Sequence, residues 1–521
     1  MSSGRWNYGD LQERMIEFQD AVYEGAGINN EMKLNVNYRP KPLRLTGIMI
    51  NLGEKIRETS EIMDLISKNV DIVCLNVCYK DLKCQEKMVN NLRNGIECLS
   101  SRPGLAFNPP AIAFDLPGPD LQIRDMNTLE RTVRLSAGHQ LNIFIQENTE
   151  RIGDGKEIGY FGVCCPELPT IMLDRKSGYV EIDKIEKECV HHVSPKEELD
   201  EKYEEAIKLA LDLHIDFLII SHVENSKTVS DMKIRVRKLG SRPICILAKI
   251  SSPQELEKFD EILKASDGIL IDRESLQIGI PVEKLVPTQK SMIAKCNEVG
   301  KAVLVTYRVA DDNSTKLKLE SVTNAVLEGI DTIFLASPIF DLKNTIKVFE
   351  DIELVLRKAE AARWHRQILQ YSSYKRTIPL DPTHGMAIAA VEMSMKLNAS
   401  GIIVTTTTGR TAMLLSIYRP SCPIAAVTRY GITARWLRLY FGVHPIHYKC
   451  SPDPDWNQDL DCRVERAMNY LRQWKYIDTG DPVIVVSGWR RDHSFTHSIR
   501  LVYAPPAALS KKSDDFEDTW S

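Results

Sequence analysis

Eight short apolar runs rich in β-branched residues recur between residues 47 and 337: GIMINLG, DIVCLNV, AIAFDL, DFLIIS, ICILAKI, DGILIDR, AVLVTYR and TIFLAS. They read as buried strands. Most segments between them, among them ETSEIMDLISKN, SPQELEKFDEILKA and KLVPTQKSMIAKCNEV, carry apolar residues at a 3.6-residue period and read as helices. Strand and helix alternating eight times predict a closed parallel (β/α)8 TIM barrel. The gap from about Leu116 to Asp216 is too long for one crossover. It predicts a small β-domain inserted after the third strand, with strands in TVRLSAGHQLNIFIQE and TIMLDRKSGYVEIDKI and Gly-rich turns between them.

After the barrel, EDIELVLRKAEAARWHRQILQYSSY reads as one long amphipathic helix. From about Asp381, the helix THGMAIAAVEMSMKLN precedes the strands GIIVTTTT, PIAAVTR, VHPIHYK, PVIVVSG and SIRLVYA. That pattern predicts a second α/β domain with an open, mainly parallel sheet. At 521 residues and 43% hydrophobic content the chain can fill two or three cores. The expected division is 1–43 (N-terminal helix and linker), 44–122 with 195–360 (barrel), 123–194 (inserted β-domain), 361–507 (C-terminal α/β domain) and 508–521 (disordered tail).

The 67 basic and 71 acidic residues leave a formal net charge of −4, which gives no global attraction to nucleic acid or anionic lipid. Twelve cysteines, including vicinal Cys164 and Cys165, lack the spacings of zinc sites or disulfide frameworks and are expected to be reduced thiols. The first residues, MSSGRWNYGDLQERMIEF, carry no apolar leader, and no apolar run approaches the about 20 residues that span a bilayer. A cytoplasmic protein with no membrane or nucleic-acid partner is expected.

The segments FDEILKASDGI, NAVLEGID, IYRPSCPIAAVTR and SGWRRDHSFT, on this domain plan, closely resemble the pyruvate kinase family. The resemblance runs from about Pro42 to Ala504 and is weakest in the inserted domain. It implies transfer of a phosphoryl group from phosphoenolpyruvate to ADP, giving pyruvate and ATP in glycolysis, with magnesium and potassium as cofactors. In a barrel of this kind the chemistry sits at the C-terminal strand ends. On the fifth strand Lys249 matches the family lysine beside the transferring phosphoryl group, and on the sixth Arg273 matches the family arginine. The two magnesium-binding acids of the family, a glutamate and an aspartate, are Ser251 and Ser275 here. Magnesium usually takes one or two protein carboxylates, so the exchange predicts weak or absent metal binding. Asp272 and Glu274 are the neighbouring carboxylates, but a strand neighbour is expected to point to the opposite face and Glu274 replaces a glycine at a tight turn of the family.

Further losses surround the rim. The family arginine of strand two is Cys74 and a potassium-ligating serine is Cys78, so Asn76 and Asp115 alone keep the side-chain part of the potassium site. Leu116-Pro117-Gly118-Pro119 replaces threonine-lysine-glycine-proline, Tyr307 and Arg308 replace threonine and glutamine, and Ala336 to Ile339 replace serine-glycine-glutamate-threonine. The nucleotide-closing loop of the inserted domain is shortened to VEIDKIEKECVHHVSP, where His191 and His192 read as a solvated pair. His222 stands where the family has an aromatic residue; it is a candidate anion ligand, with packing its plainer role. Two lost charged contacts at about 3 kcal/mol each would slow transfer roughly 10⁴-fold.

The C-terminal domain keeps more of the family pattern. GIIVTTTTGRTAMLL sets a Thr-rich turn between a strand and a helix start, where amides and hydroxyls suit phosphate. By resemblance Thr406, Thr407, Thr408, Arg410 and Thr411 belong to the phosphate loop of a sugar-bisphosphate effector site, Trp456 and Arg463 to its second phosphate, and Trp489 and Arg490 to its closing loop. Arg491, Asp492 and His493 depart from that loop's pattern. The leading reading is a catalytically weak or inactive member, a pseudoenzyme or regulatory subunit that binds a fructose-bisphosphate-like effector. An active kinase is the alternative, and a structural partner of an active paralogue is another. A homotetramer or a hetero-oligomer with a paralogue is implied by the family.

Overall fold

The computed structural model describes residues 40–53, 58–77, 82–102, 107–116, 123–124, 142–144, 160–163, 195–307, 315–336, 342–363, 365–374, 380–488 and 496–506. The expected N-terminal helix, most of the inserted domain, the pair His191 and His192, and the tail lie outside these residues.

All eight predicted barrel strands form: β1 (Gly47–Asn51), β2 (Ile72–Asn76) and β3 (Ala111–Asp115) before the insertion, then, after the short strands β4 (Ile123–Arg124), β5 (Asn142–Phe144) and β6 (Tyr160–Val163), β7 (Phe217–Ile220), β8 (Cys245–Ile250), β9 (Gly268–Ile271), β10 (Ala302–Tyr307) and β11 (Thr332–Leu335). Parallel pairing in the order β1-β11-β10-β9-β8-β7-β3-β2 closes the ring. Along each strand one set of side chains fills the barrel, including Met49, Ile72, Cys74, Ala113, Phe217, Ile219, Leu247, Leu270, Leu304 and Phe334. The intervening residues face the helices, so most positions are apolar and no alternation is visible in the sequence.

Residues 117–206 form a separate compact unit. Within it β4, β5 and β6 make a three-stranded sheet in the order β4-β6-β5. The β-domain was expected, but Tyr160–Val163 is a strand in a stretch read as Gly-rich turns, and the predicted strand region TIMLDRKSGYVEIDKI lies outside the described residues.

Two long helices expected from the pattern are each divided. The one after the barrel runs Leu342–Ala362 and then His365–Tyr374. At the break Arg363 is buried against the Phe441 ring, 5.2 Å from its centroid, and the His365 ring takes positions 2.8 Å from the carbonyl of Arg419 and 3.4 Å from that of Glu360. Tertiary polar contacts there replace the helix's own ladder. SPQELEKFDEILKA likewise folds as Pro253–Glu257 and Phe259–Ala265, turning at Lys258.

The C-terminal sheet has β12 (Gly401–Thr405), β13 (Ile424–Thr428), β14 (Val443–His447), β15 (Pro482–Ser487) and β16 (Ser498–Tyr503) in the order β14-β13-β12-β15-β16, with β16 alone antiparallel. One face, with Ile402, Val404, Ile424 and Val486, packs on Ala387 and Val391 of the helix Pro382–Lys396. The other, with Ile403, Val427 and Val485, packs on Ala467, Met468 and Leu471 of the helix Trp456–Gln473.

A fourfold device closes the N-terminal end of the barrel. Every second barrel strand in chain order (β2, β7, β9 and β11) is preceded by an aspartate whose Oδ2 accepts from the second backbone N–H of the barrel strand before it. Asp71 accepts from Ile48 at 2.9 Å, Asp216 from Ile112 at 3.1 Å, Asp267 from Ile246 at 2.9 Å and Asp331 from Val303 at 2.9 Å. Three of the four also receive an arginine from the C-terminal domain: Arg438 at 3.1 Å from Asp71, Arg435 at 2.7 Å from Asp216 and Arg419 at 2.6 Å from Asp331. Leu439 enters the barrel core between them, and the Leu439 carbonyl accepts from Thr332 Oγ1 at 3.2 Å. Gly268 lets the neighbouring strands close up, since a Cβ there would sit 2.8 Å from Leu247 and 3.2 Å from the Ala302 carbonyl.

Removing one partner of a buried ion pair strands the other charge, at a cost of about 3–5 kcal/mol. Asp331→Ala is therefore expected to lower the unfolding free energy by about that amount, because Arg419 is only 4% exposed. Asp267→Ala, whose partner Lys233 is 27% exposed, is expected to cost about 1 kcal/mol. Urea unfolding of both variants measures the difference; equal losses would remove burial as its cause.

Candidate active site and effector pocket

At the C-terminal mouth of the barrel, Lys249 on β8 directs its ammonium to Asp272, Nζ to Oδ2 at 3.2 Å. This overturns the expectation that Asp272 points away. Strand β9 ends at Ile271, and Asp272 has already left extended geometry, with φ −86° and ψ 88°, to cap the helix Arg273–Gly279. Its side chain stays in phase with Leu270, which shares the barrel interior with Leu247, two residues before Lys249. The carboxylate is nearly sealed: Oδ2 also accepts from Ser275 Oγ at 2.9 Å, and Oδ1 accepts from Ser275 N at 3.3 Å and Thr306 Oγ1 at 3.2 Å. Burial would raise its pKa, but the Lys249 charge and the Ser275 hydrogen bonds outweigh burial and hold it below the usual carboxylate range.

The two serines at the expected metal positions are engaged within the protein. Ser275 Oγ donates to Asp272, as above, and Ser251 Oγ donates to Glu255 Oε2 at 3.3 Å. The same Glu255 oxygen takes the backbone N–H groups of Ser251 and Ser252, as the capping box of the helix Pro253–Glu257. Neutral hydroxyls already donating to carboxylates are poor ligands for magnesium, which prefers charged oxygens in octahedral geometry. The donor set at positions 251 and 275 does not fit the ion.

Asn76 and Asp115 are direct neighbours in the sheet, paired between β2 and β3, at the same rim. Arg273 places its backbone N–H 3.2 Å from Thr306 Oγ1, and its side chain acts on Tyr307. Tyr307 is buried, donates to the Ser321 carbonyl at 3.0 Å, and is pushed up to about 12 by that burial against the opposing influence of Arg273. His222 adopts φ +53°, left-handed geometry uncommon outside glycine, directly after β7 and its following Ser221. Cys78, Pro117, Gly118, Pro119, Arg308 and residues 337–339 lie outside the described residues.

In the C-terminal domain the Thr-rich turn forms as expected between β12 and the helix Arg410–Ile417. Thr406 Oγ1 accepts from Gly409 N at 3.0 Å, and Gly409 takes φ +83°. A Cβ at Gly409 would also meet Leu437 at 3.1 Å and Thr433 at 3.2 Å, so glycine is required. Thr407 and Thr408 are exposed, and Thr411 is buried with its hydroxyl 2.7 Å from that of Thr496. Arg410 pairs with Asp381 at 3.0 Å on the surface, an interaction worth about 0–1 kcal/mol and easily exchanged. Trp456 begins the helix that follows β14, so it lies at the same C-terminal edge of the sheet as the turn. Arg463 stacks on its ring at 5.4 Å and pairs with Asp459 one turn along. Asp459 also receives Arg429 Nη1, from the end of β13, at 3.3 Å. Arg490 and the rest of residues 489–495 lie outside the described residues.

Sequence reading missed three parts of these sites: the inward turn of Asp272, the bridging carboxylate Asp459 with Arg429, and the fourfold aspartate device. The last had a visible signal, since DIVCLN, DFLIIS, DGILID and DTIFLAS all open on aspartate in every second strand.

Residues 190–339 match the family model "Pyruvate kinase, barrel domain" and residues 384–502 the model "Pyruvate kinase, alpha/beta domain". The chain is 30% identical over 500 residues to the pyruvate kinase PKLR of Rattus norvegicus, covering 90% of this chain and 86% of that protein. It is 28% identical to the pyruvate kinase of Hypocrea jecorina, over 94% of this chain and 96% of that one. Pyruvate kinase 2 of Saccharomyces cerevisiae is 26% identical, over 89% and 96%.

Rebuilding the acid pattern tests the reading of the serines. The combined change Ser251→Glu, Asp272→Ala, Glu274→Gly and Ser275→Asp is expected to create manganese binding in the micromolar to millimolar range, absent from the parent, by electron paramagnetic resonance. Equal binding by parent and variant would show that positions 251 and 275 do not decide it.

Proposed function

The chain belongs to the pyruvate kinase family, and from that premise we propose that it is a member whose phosphoryl-transfer site is weak or inactive while its effector pocket is retained. One observation carries the first half: the Lys249 ammonium is held 3.2 Å from an internal carboxylate, Asp272. In the family reaction this positive charge would face developing negative charge on the substrate, and catalysis by such a group depends on its being preorganised toward that charge. Here the protein supplies its own anion. The lost acids at Ser251 and Ser275 remove the metal's charge in the same place.

If the site turned over, phosphoenolpyruvate and ADP would be its substrates, magnesium and potassium its ions, and pyruvate and ATP its products. Lys249 and Arg273 would be its remaining cationic groups, with Asn76 and Asp115 beside a potassium ion. The regulatory half rests on Thr406, Thr407, Thr408, Arg410 and Thr411 around one phosphate and Trp456 with Arg463 near a second. Sugar-bisphosphate binding at this sheet edge is the reading they support, within a cytoplasmic homo- or hetero-oligomer.

Purified protein assayed for pyruvate formation with magnesium and potassium, beside Lys249→Met, is expected to turn over below about 1 s⁻¹, the low end of ordinary enzymes. Lysine-dependent turnover above that rate would sink the inactive reading. Fructose bisphosphate is expected to raise the melting temperature by mass action, and Arg410→Ala to abolish the rise. A parent protein with no rise would end the effector reading.

A further inference from the structure

Among the four aspartates at the N-terminal end of the barrel, Asp216 differs from the rest in its cations. Asp71 is matched by Arg44 and Arg438, both at most 2% exposed, and Asp331 by Arg419 at 4%. Around Asp216 three guanidinium groups converge and remain in reach of solvent. Arg435 Nε and Arg242 Nη2 both address the single oxygen Oδ1, at 2.7 and 3.7 Å, and are 20% and 21% exposed. The other oxygen is taken by the Ile112 N–H. Arg93, on the helix Leu82–Ser100, donates to the carbonyl of Leu213. Three positive charges against one negative leave 3 − 1 = +2 on these four side chains.

These groups feel one another. Arg435 and Arg93 both disfavour the charged form of Arg242, with burial the larger cause, and Arg435 does the same to Arg93. His214 stands beside them on the surface, at φ +49°, its Nδ1 3.1 Å from the Leu211 carbonyl. Burial and then the charge of Arg242 push its imidazole below the ordinary range. Guanidinium groups present planar donor forks that suit phosphate, and a partly desolvated cluster with surplus charge lowers its own repulsion by taking a dianion.

We propose that Arg93, Arg242 and Arg435, with His214, form a binding site for a phosphate group. The site spans both parts of the larger compact unit: Arg93 and Arg242 come from the barrel and Arg435 from the C-terminal helix Gly431–Leu437. It is separate from the Thr-rich turn, which draws none of its residues from the barrel. A bound phosphate would add an anionic tie between Arg435 and the barrel arginines beside the one that Asp216 already makes. The ligand class is a phosphate monoester or inorganic phosphate.

The test uses the full chain carrying Arg410→Ala, so that the Thr-rich turn does not contribute. At constant ionic strength, inorganic phosphate and glycerol phosphate are titrated against chloride by calorimetry and thermal shift. Saturable binding of either is expected, weakened about tenfold or more by Arg242→Gln, which leaves the Asp216–Arg435 pair in place. Tighter binding of glycerol phosphate would identify a monoester as the ligand; tighter binding of inorganic phosphate would identify the free ion. No saturable binding, or the same affinity in Arg242→Gln, overturns the proposal. Should that variant fail to fold, the His214 imidazole resonance, assigned by its loss in His214→Asn, gives the answer: phosphate is expected to raise the pKa of His214, and an unmoved pKa overturns the site.

Discussion

The aspartate that opens every second barrel strand is the interaction on which the rest of this structure depends. One oxygen fixes the register of the neighbouring strand through a backbone N–H, and the other is left to meet a cation. An unpaired carboxylate in that place would be costly. Arg44, Arg242 and Lys233 meet three of the four from outside the C-terminal domain, Arg419, Arg435 and Arg438 add charges from that domain, and Leu439 fills the barrel axis between them. The opposite end of the barrel is relieved of structural duty, and its strand ends are free to carry chemistry or to lose it.

At that opposite end a similar pairing has a different consequence. Lys249 and Asp272 satisfy each other, and Ser275 and Thr306 complete the carboxylate's hydrogen bonds. A site built for transfer keeps its charges aimed at where the substrate's charge will develop, which leaves them poorly satisfied when empty. Here the charges are already compensated internally, with two serine hydroxyls folded into the same network and a tyrosine sealed behind Arg273. The C-terminal pocket retains the reverse balance: exposed threonine hydroxyls, an arginine held only by a surface pair, and a tryptophan presented at a sheet edge.

The fold was legible because its signals are local and repeated. Eight apolar runs and the helices between them gave the barrel, and the five C-terminal runs gave the second sheet in full. The divided helices were not legible, since Arg363 and His365 read as ordinary helix residues until Phe441, Glu360 and Arg419 are brought against them. The strand at Tyr160–Val163 was hidden by its surrounding glycines. At the site, residue identity gave the lost acids directly, but the role of Asp272 required knowing that Leu270, two residues before it, faces the barrel interior.

Substitution patterns alone leave the activity of such a chain open. Exchanging acid for serine at positions 251 and 275 removes charge, whereas aspartate at 272 adds it on the interior face, beside Lys249. Its effect comes from capping geometry: the helix Arg273–Gly279 requires a cap, Asp272 supplies it to Ser275 N, and the same rotation brings Oδ2 to the lysine. Capping the helix and satisfying the lysine are therefore one commitment, made by one side chain. Undoing it would expose a half-buried ammonium and leave a helix start without its acceptor.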